Sequence, residues 1–200
     1  MTDCAAGTPL LPPRMGGALL AVELPDDIPS LGSSCVSGKS ADNLEIVECN
    51  CVLLDCFSKQ LPITVNVKSS EEDELHAMAV GVNKYSTFAE ESFEKGLQSA
   101  PYLYVFADCM DSVLSIIHVR PPSQKNAYWD WMSIASSSRV VVHWTPAEYN
   151  VADELTKLTK ESMLRKVQMT GKISMPLCKR SIGIPVRRNY LMTPVPRPSE

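Results

Sequence analysis

Four acidic residues occupy positions from which their side chains could converge on one point. They are Asp3, Glu74, Asp108 and Asp153. Each lies beside a predicted strand or on a predicted helix, and strand ends and helix faces bring together side chains that are distant in sequence. Mg²⁺ prefers oxygen ligands, and two ions about 4 Å apart hold the attacking and leaving oxygens of a phosphodiester. The four acids are therefore candidate ligands for metal-dependent phosphodiester cleavage.

Each acid, taken alone, also has an ordinary structural explanation. Asp108 directly follows an apolar run, where an acid is commonly the N-cap of the next helix. Glu74 fits a solvated charge on a helix, and Asp153 fits another acid on a helix surface. Asp3 by itself indicates little. Position alone leaves these explanations open beside the metal-ligand interpretation.

The first half of the chain is predicted to form three strands and then a helix. Strands are predicted at residues 17–24, 44–54 and 61–67 from their apolar and β-branched content. A helix is predicted over 69–88, where apolar residues recur at three- and four-residue spacing. Two serines followed by three acids supply this helix with an N-cap and an acidic first turn.

The second half of the chain alternates strands and helices. The nearly continuous apolar run 102–107 predicts a strand that is buried on both faces. Helices are predicted at 110–117, 123–135 and 147–158, and a strand at 139–144. A strand, helix and strand in succession place parallel strands side by side, joined by a crossover. The pattern therefore predicts an α/β protein in layers.

Length and charge divide the chain into an acidic body and a basic tail. Two hundred residues allow one domain of ordinary size with an appendage. The net charge of -4 hides ten basic residues against two acidic ones from residue 157 onward. Residues 172–200 contain five prolines and little helical periodicity, which predicts an extended, poorly ordered segment. This tail is either an arm that contacts phosphates or a solvated linker.

Cysteine spacing and hydropathy exclude several classes of protein. The seven cysteines include no CxxC pair, so neither a zinc ribbon nor a disulfide framework is predicted. The first residues lack the basic and apolar stretches of a signal peptide. No apolar run approaches the ~20 residues of a membrane span. We therefore expect free thiols, an intracellular location and no membrane partner.

Four stretches of sequence resemble the ribonuclease H family as it occurs in retroelement reverse transcriptases. Residues 2–7 (TDCAAG) with 16–20 (GGALL) resemble its first strand, and 69–77 (SSEEDELHA) resemble its acid-bearing helix. Residues 104–114 (YVFADCMDSVL) resemble its strand that ends in aspartate. The strongest match is 142–157 (VHWTPAEYNVADELTK), which is similar to the closing phrase of retrotransposon members. The resemblance extends from residue 2 to about 158.

The resemblance implies a fold, a substrate and a set of ligands. The fold would be a ribonuclease H-like mixed five-stranded sheet flanked by helices at residues 1–158, followed by a basic, proline-containing tail or linker at 159–200. The substrate would be an RNA/DNA hybrid whose RNA strand is hydrolysed with two Mg²⁺ ions, or Mn²⁺. The implied catalytic metal ligands are Asp3, Glu74, Asp108 and Asp153.

At other positions the resemblance assigns a role less directly. His143 is an accessory candidate for product release or proton handling, and a packed or surface imidazole is the alternative. Asp111 lies one helical turn beyond Asp108 and is the alternative ligand if the register shifts by three residues. A loop insertion at about 25–43 falls between strands, where extra length is tolerated.

The start of the chain departs from the family's pattern. Only two residues precede Asp3, whereas the family's first strand normally begins several residues earlier. We therefore expect a truncated first strand, in a fragment of a polyprotein that continues a reverse transcriptase polymerase domain. The main alternative to an enzyme is a catalytically inactive retroelement relic with the same fold, acting as a structural or nucleic-acid-binding module. A module that binds through its basic tail is a third interpretation.

Overall fold

The computed structural model describes residues 1–5, 13–23, 44–61, 70–98, 102–157 and 162–178. Its elements are strands β1 (Thr2–Ala5), β2 (Arg14–Glu23) and β3 (Leu44–Gln60), helix α1 (Ser70–Glu94), strand β4 (Leu103–Ala107), helices α2 (Met110–Ile117) and α3 (Lys125–Ala135), strand β5 (Val140–Trp144), a 3₁₀ turn (Ala147–Tyr149), helices α4 (Asp153–Thr156) and α5 (Met163–Thr170), and strand β6 (Lys172–Cys178). The predicted mixed α/β architecture is confirmed.

Hydrogen bonds join the described strands into two sheets. Strands β1, β2, β3 and β6 form an antiparallel sheet in that order, and β4 and β5 form a parallel pair. The parallel pair is joined through α2 and α3, as the alternation of strands and helices predicted. The single mixed five-stranded sheet implied by the resemblance is not formed by the residues that the structure describes.

Side chains form hydrogen bonds with one edge of β1. At this edge another strand would have to pair for the strands to form a single sheet. The carbonyl oxygen of Thr2 accepts a hydrogen bond of 2.9 Å from Asn150 Nδ2. The amide of Cys4 donates to Glu74 Oε1 at 3.2 Å. Alternate residues of a strand direct their backbone groups to the same edge, so these two belong to the edge away from β2. Because side chains use them, β4 packs near β1 without a hydrogen-bonded ladder.

Helix α1 covers one face of the antiparallel sheet. Its most deeply buried apolar residues are Leu75, Ala77, Met78, Ala79, Val82, Tyr85 and Ala89. They pack in one cluster with Trp131 of α3 and with side chains of β2, β4 and β5. The predicted helix over 69–88 is thus confirmed from Ser70, and it continues to Glu94. Glu74 is carried on the same turn as Leu75.

Helix α5 and strand β6 correct the prediction of a poorly ordered tail. Val167 of α5 packs with Ile173 and Met175 of β6 against the sheet face opposite α1. Strand β6 pairs with β3 along its whole length, across the predicted domain boundary at residue 158. Pro176 is tolerated because β6 lies at the sheet edge, where a missing N–H breaks no further ladder. Residues 179–200 lie outside the described part of the chain.

Two other predictions differ from the structure or fall outside it. The predicted helix 147–158 is wrong, because the 3₁₀ turn and α4 are separated at Asn150, whose backbone is extended. The Asn150 side chain accepts from the amide of Ala152 at 3.2 Å, and such local bonds compete with helix formation. From residue 62 onward, the predicted strand 61–67 lies outside the described residues, as does the loop 25–43.

Five cysteines whose side chains the structure describes carry free thiols: Cys4, Cys49, Cys51, Cys56 and Cys109. Among the helices described, none has the length and apolar character needed to cross a bilayer.

Candidate metal centre

Asp3 lies within strand β1 and is 1 % exposed. The hydroxyl of Thr156 in α4 donates a hydrogen bond to its carboxylate. Burial raises the pKa of Asp3 to about 6, and the negative charges of Asp108 and Asp153 act in the same direction. A carboxylate buried this deeply is costly unless hydrogen-bond donors or cations balance its charge. A nearby cation would therefore stabilise the ionised form of Asp3.

Gly16 allows helix α4 to approach β1 closely. It lies opposite Asp3 in the β1–β2 ladder. A Cβ at this position would lie 2.7 Å from Leu155 Cβ and 3.0 Å from Thr156 Cγ2, closer than real side chains come. Glycine therefore leaves the space that α4 needs, and α4 in turn places Asp153 beside Asp3.

Asp108 directly follows strand β4, and the structure decides between its two interpretations. The N-cap of α2 is Cys109, and no side chain caps that helix, so the N-cap explanation for Asp108 is wrong. Trp144 Nε1 donates to the carbonyl oxygen of Asp108 at 2.9 Å. Burial raises the pKa of the Asp108 carboxyl, while Lys157 and a hydrogen bond from the Asn150 side chain oppose this rise.

Asp153 begins helix α4, and it completes a cluster of three carboxylates. Its amide donates to the carbonyl oxygen of Asn150 at 3.0 Å. One carboxylate oxygen from each of Asp3, Asp108 and Asp153 lies within 4.8 Å of the other two. We call these three residues the carboxylate cluster. Three of the four acids selected from the sequence thus meet, although they come from a strand, a strand end and a helix.

Glu74, the fourth acid, lies beside the carboxylate cluster. It is 6 % exposed, so its interpretation as a solvated helix charge is wrong. Its Oε1 accepts from the Cys4 amide, and its buried Oε2 has no hydrogen-bond partner among the residues described. Burial, followed by the charges of Asp3 and Asp108, raises the pKa of Glu74 to about 9. Its unpartnered oxygen is available to a cation.

Lys157 brings a positive charge to the carboxylate cluster. Its Nζ contacts Asp153 Oδ1 and lies 4.0 Å from Asp3 Oδ2. Burial lowers the pKa of Lys157, but the hydrogen bond to Asp153 and the charges of the three aspartates outweigh burial and raise it. The side chain is 45 % exposed, so its ammonium group can leave the cluster without crossing the protein interior.

Two further candidates from the sequence do not join the carboxylate cluster. Asp111 is exposed on α2 and lies outside the cluster, so the alternative register for the ligand is wrong. The ring of His143 stacks on Tyr104 and Phe106 of β4, at centroid distances of 6.0 and 5.2 Å. His143 is therefore the packed imidazole of the alternative interpretation, and it is not part of the cluster.

Three polar residues were given no role from the sequence although they contact the acids. Asn150, Thr156 and Lys157 all belong to the stretch 142–157 that resembles retrotransposon sequences. For Thr156 and Lys157, the spacing from Asp153 was the available signal, because residues three and four apart share a helix face. Spacing did not reveal Asn150, which lies outside the helix and contacts the site through a loop.

Comparisons of this chain with protein-family models, with curated proteins and with solved structures found no significant match. The chemistry of the site therefore rests on its own geometry. Carboxylate oxygens are the ligands that suit Mg²⁺ and Mn²⁺. Four buried or half-buried acids with one competing ammonium group form an arrangement that can exchange a side-chain cation for a divalent one.

Proposed function

We propose that this chain is a Mg²⁺-dependent endonuclease that hydrolyses the RNA strand of RNA/DNA hybrids, as the ribonuclease H part of a retrotransposon reverse transcriptase. The observation that carries the proposal is the meeting of Asp3, Asp108 and Asp153 within 4.8 Å. All three lie in stretches of sequence that resemble the ribonuclease H family. A cluster that forms from separate elements in this way is expected of a functional site.

The donor set fits a hard divalent cation. Asp3, Asp108 and Asp153 would hold Mg²⁺, or Mn²⁺, and Glu74 would offer its buried Oε2, for which the described residues supply no partner. Burial raises the pKa values of Asp3 and Glu74, so a bound cation would offset the cost of their negative charges. When bound, such ions lower the pKa of a water molecule and stabilise the leaving oxygen.

The protein's own residues orient this chemistry. Thr156 holds the Asp3 carboxylate from α4, and Trp144 holds the backbone of Asp108 at the end of β4. In the proposed reaction a water oxygen bonds to phosphorus and the bond from phosphorus to the 3′ oxygen breaks. The products are a 5′ phosphate and a 3′ hydroxyl, which takes up a proton. Contacts to the 2′-hydroxyl would select RNA over DNA.

Cleavage of a labelled hybrid tests the proposal. The full chain should cut the RNA strand of an RNA/DNA hybrid with Mg²⁺, and should leave the RNA intact with EDTA. Asp108→Asn should abolish cleavage, because it removes a ligand charge with little change of shape. Asp111→Asn, purified in the same way, is the matched control: it alters an exposed acid on the next helical turn. Cleavage that survives Asp108→Asn would refute the assignment.

A second candidate function is a catalytically inactive relic that serves as a structural or nucleic-acid-binding module. The contact of Lys157 with Asp153 favours it, because an internal cation already neutralises part of the cluster. This alternative predicts hybrid binding without Mg²⁺-dependent cleavage. Deletion of residues 179–200 keeps β6 and tests the basic tail: binding that depends on the tail would weaken, with a shallower salt dependence.

A further inference from the structure

One buried amide side chain lies among the elements that carry the three aspartates. Asn150 is 0 % exposed and lies between the 3₁₀ turn and helix α4. Its backbone is neither helical nor part of a strand, and its backbone amide donates to the carbonyl oxygen of Ala147 at 3.0 Å. A polar side chain that is fully buried persists where its hydrogen bonds are satisfied. The partners of Asn150 therefore indicate what it does.

These partners belong to all three elements of the carboxylate cluster. Asn150 Nδ2 donates to the carbonyl oxygen of Thr2, the residue before Asp3 in β1, at 2.9 Å. The Asn150 side chain also lies close enough to the Asp108 carboxyl to oppose, through hydrogen bonding, the rise in its pKa. The backbone carbonyl of Asn150 accepts from the amide of Asp153 at 3.0 Å.

Strands β1 and β4 pack near each other in the described part of the chain. The two strands belong to different sheets and share no ladder, so their separation depends on side chains between them. Asn150 lies in that separation: its side chain donates to the Thr2 carbonyl on β1 and lies close to the carboxyl of Asp108, which follows β4. Removing the amide would leave the buried carbonyl of Thr2 without its donor and would free Asp108 to move relative to Asp3.

We propose that Asn150 is the positioning residue that sets the distances among Asp3, Asp108 and Asp153, and so determines how tightly the cluster binds a divalent cation. This role rests on the proposed function, because it concerns the same site. Asn150 itself contributes no ligand. Its effect on the cation is exerted through the carboxylates, as residues that orient metal ligands commonly do.

Calorimetric titration of Mn²⁺ and Mg²⁺ into the full chain tests this role. Asn150→Ala should weaken the affinity by about 10- to 100-fold, the usual effect of removing a partner of metal ligands. Thr145→Val is the matched control. Thr145 is also 0 % exposed, and its backbone bond to Ala107 does not need the hydroxyl. This variant should bind both ions as the wild type does.

The outcomes separate this role from general support of the fold. A variant that keeps the wild-type near-ultraviolet circular dichroism but loses affinity supports positioning. Unchanged affinity in folded Asn150→Ala would overturn the role while leaving the proposed function intact. If that variant does not fold, Asn150→Ser, which keeps a hydroxyl, is titrated instead and is judged by the same affinities. A wild-type chain that binds neither ion would overturn the proposed function, and this role with it.

Discussion

The apolar core beneath α1 and the carboxylate cluster are both buried, and they meet at two neighbouring residues. Leu75 is 0 % exposed and packs in the core. Glu74, one residue earlier, is 6 % exposed and faces the acids of β1 and β4. Burial stabilises the leucine, because its apolar surface leaves water. Burial destabilises the ionised glutamate, whose pKa it raises to about 9.

The difference shows that burial stabilises the folded protein in one region and costs it free energy in the other. The core favours the folded state at every pH, whereas the carboxylate cluster opposes folding whenever its acids are ionised and no cation is present. Residues that break the usual rules of burial are expected at functional sites. If the comparison is right, substitutions in the two regions must have opposite effects on the metal-free protein.

The largest expected effect is that Leu75→Ala and Glu74→Gln change the free energy of unfolding in opposite directions. Leu75→Ala should lower the free energy of unfolding by about 2–5 kcal/mol, because it leaves a cavity in the core. Glu74→Gln should raise it in EDTA at neutral pH, because the amide keeps the oxygen that accepts from Cys4 and removes an acid that must take up a proton when the chain folds. Urea unfolding of both variants measures the two changes.

The affinity for Mg²⁺ should also distinguish the two variants, but here the substitution of Glu74 should be the harmful one. Leu75→Ala, at a temperature where it is folded, should retain the wild-type affinity for Mg²⁺, and Glu74→Gln should lose affinity. A glutamine variant that is less stable than the wild type in EDTA would show that Glu74 is a structural acid. The contrast between the two regions would then be lost.

The sequence predicted the core side of this comparison well. Three- and four-residue spacing of apolar residues located α1, and the apolar run before Asp108 located β4, because these patterns depend on burial alone. It failed at β6, where Pro176 was interpreted as a sign of disorder. An edge strand tolerates proline, but whether a strand lies at an edge depends on which strand pairs with it, and local sequence does not contain that information.

The sequence predicted the acids of the site but not the residues that position them. The four acids were selected because they lie beside predicted strands or on predicted helices, in stretches that resemble the ribonuclease H family, and three of them meet. Asn150 was not identified, because its role depends on the placement of Thr2 and Asp108, which are far away in sequence. Gly16 was part of a recognised motif, but its contact with Leu155 required knowledge of where α4 packs.

The second prediction concerns pH and Mg²⁺. The pKa of Asp3 is raised to about 6 and that of Glu74 to about 9, so the folded protein binds more protons than the unfolded chain between about pH 4 and pH 9. The contribution of these two acids to stability therefore decreases as pH rises through this window. Mg²⁺ binds the deprotonated acids, so the rise in Tm that it causes should grow with pH.

Differential scanning calorimetry at several pH values, in EDTA and in Mg²⁺, measures this effect. NaCl at matched ionic strength controls for screening, and Asp108→Asn controls for binding outside the cluster. Equal Tm values with and without Mg²⁺ at pH 8 would indicate a site that no longer holds metal. A Mg²⁺ effect that persists in Asp108→Asn would place the binding elsewhere.

The smallest expected effect comes from Lys157, the cation that the carboxylate cluster already contains. Its ammonium group contacts Asp153 and lies near Asp3, where it competes with a divalent ion for the same oxygens. Lys157→Gln should therefore bind Mg²⁺ a few-fold more tightly in calorimetric titration, while the metal-free Tm falls slightly. The fall should be small because the side chain is 45 % exposed and solvent screens the pair.

Lys95→Gln is the matched control for this substitution. Lys95 pairs with Glu91 at the same four-residue spacing on exposed helix surface, and such pairs contribute about 0.3–0.5 kcal/mol. Its loss should affect the metal-free Tm to a similar degree and leave the Mg²⁺ affinity unchanged. Weaker binding in Lys157→Gln would mean that the ammonium group supports the site instead of competing for it. The charges of the carboxylate cluster would then be compensated by a side chain of the protein, and its acids would not need a metal ion to offset their charge. Like the apolar core, the cluster would be stabilised by the protein's own residues.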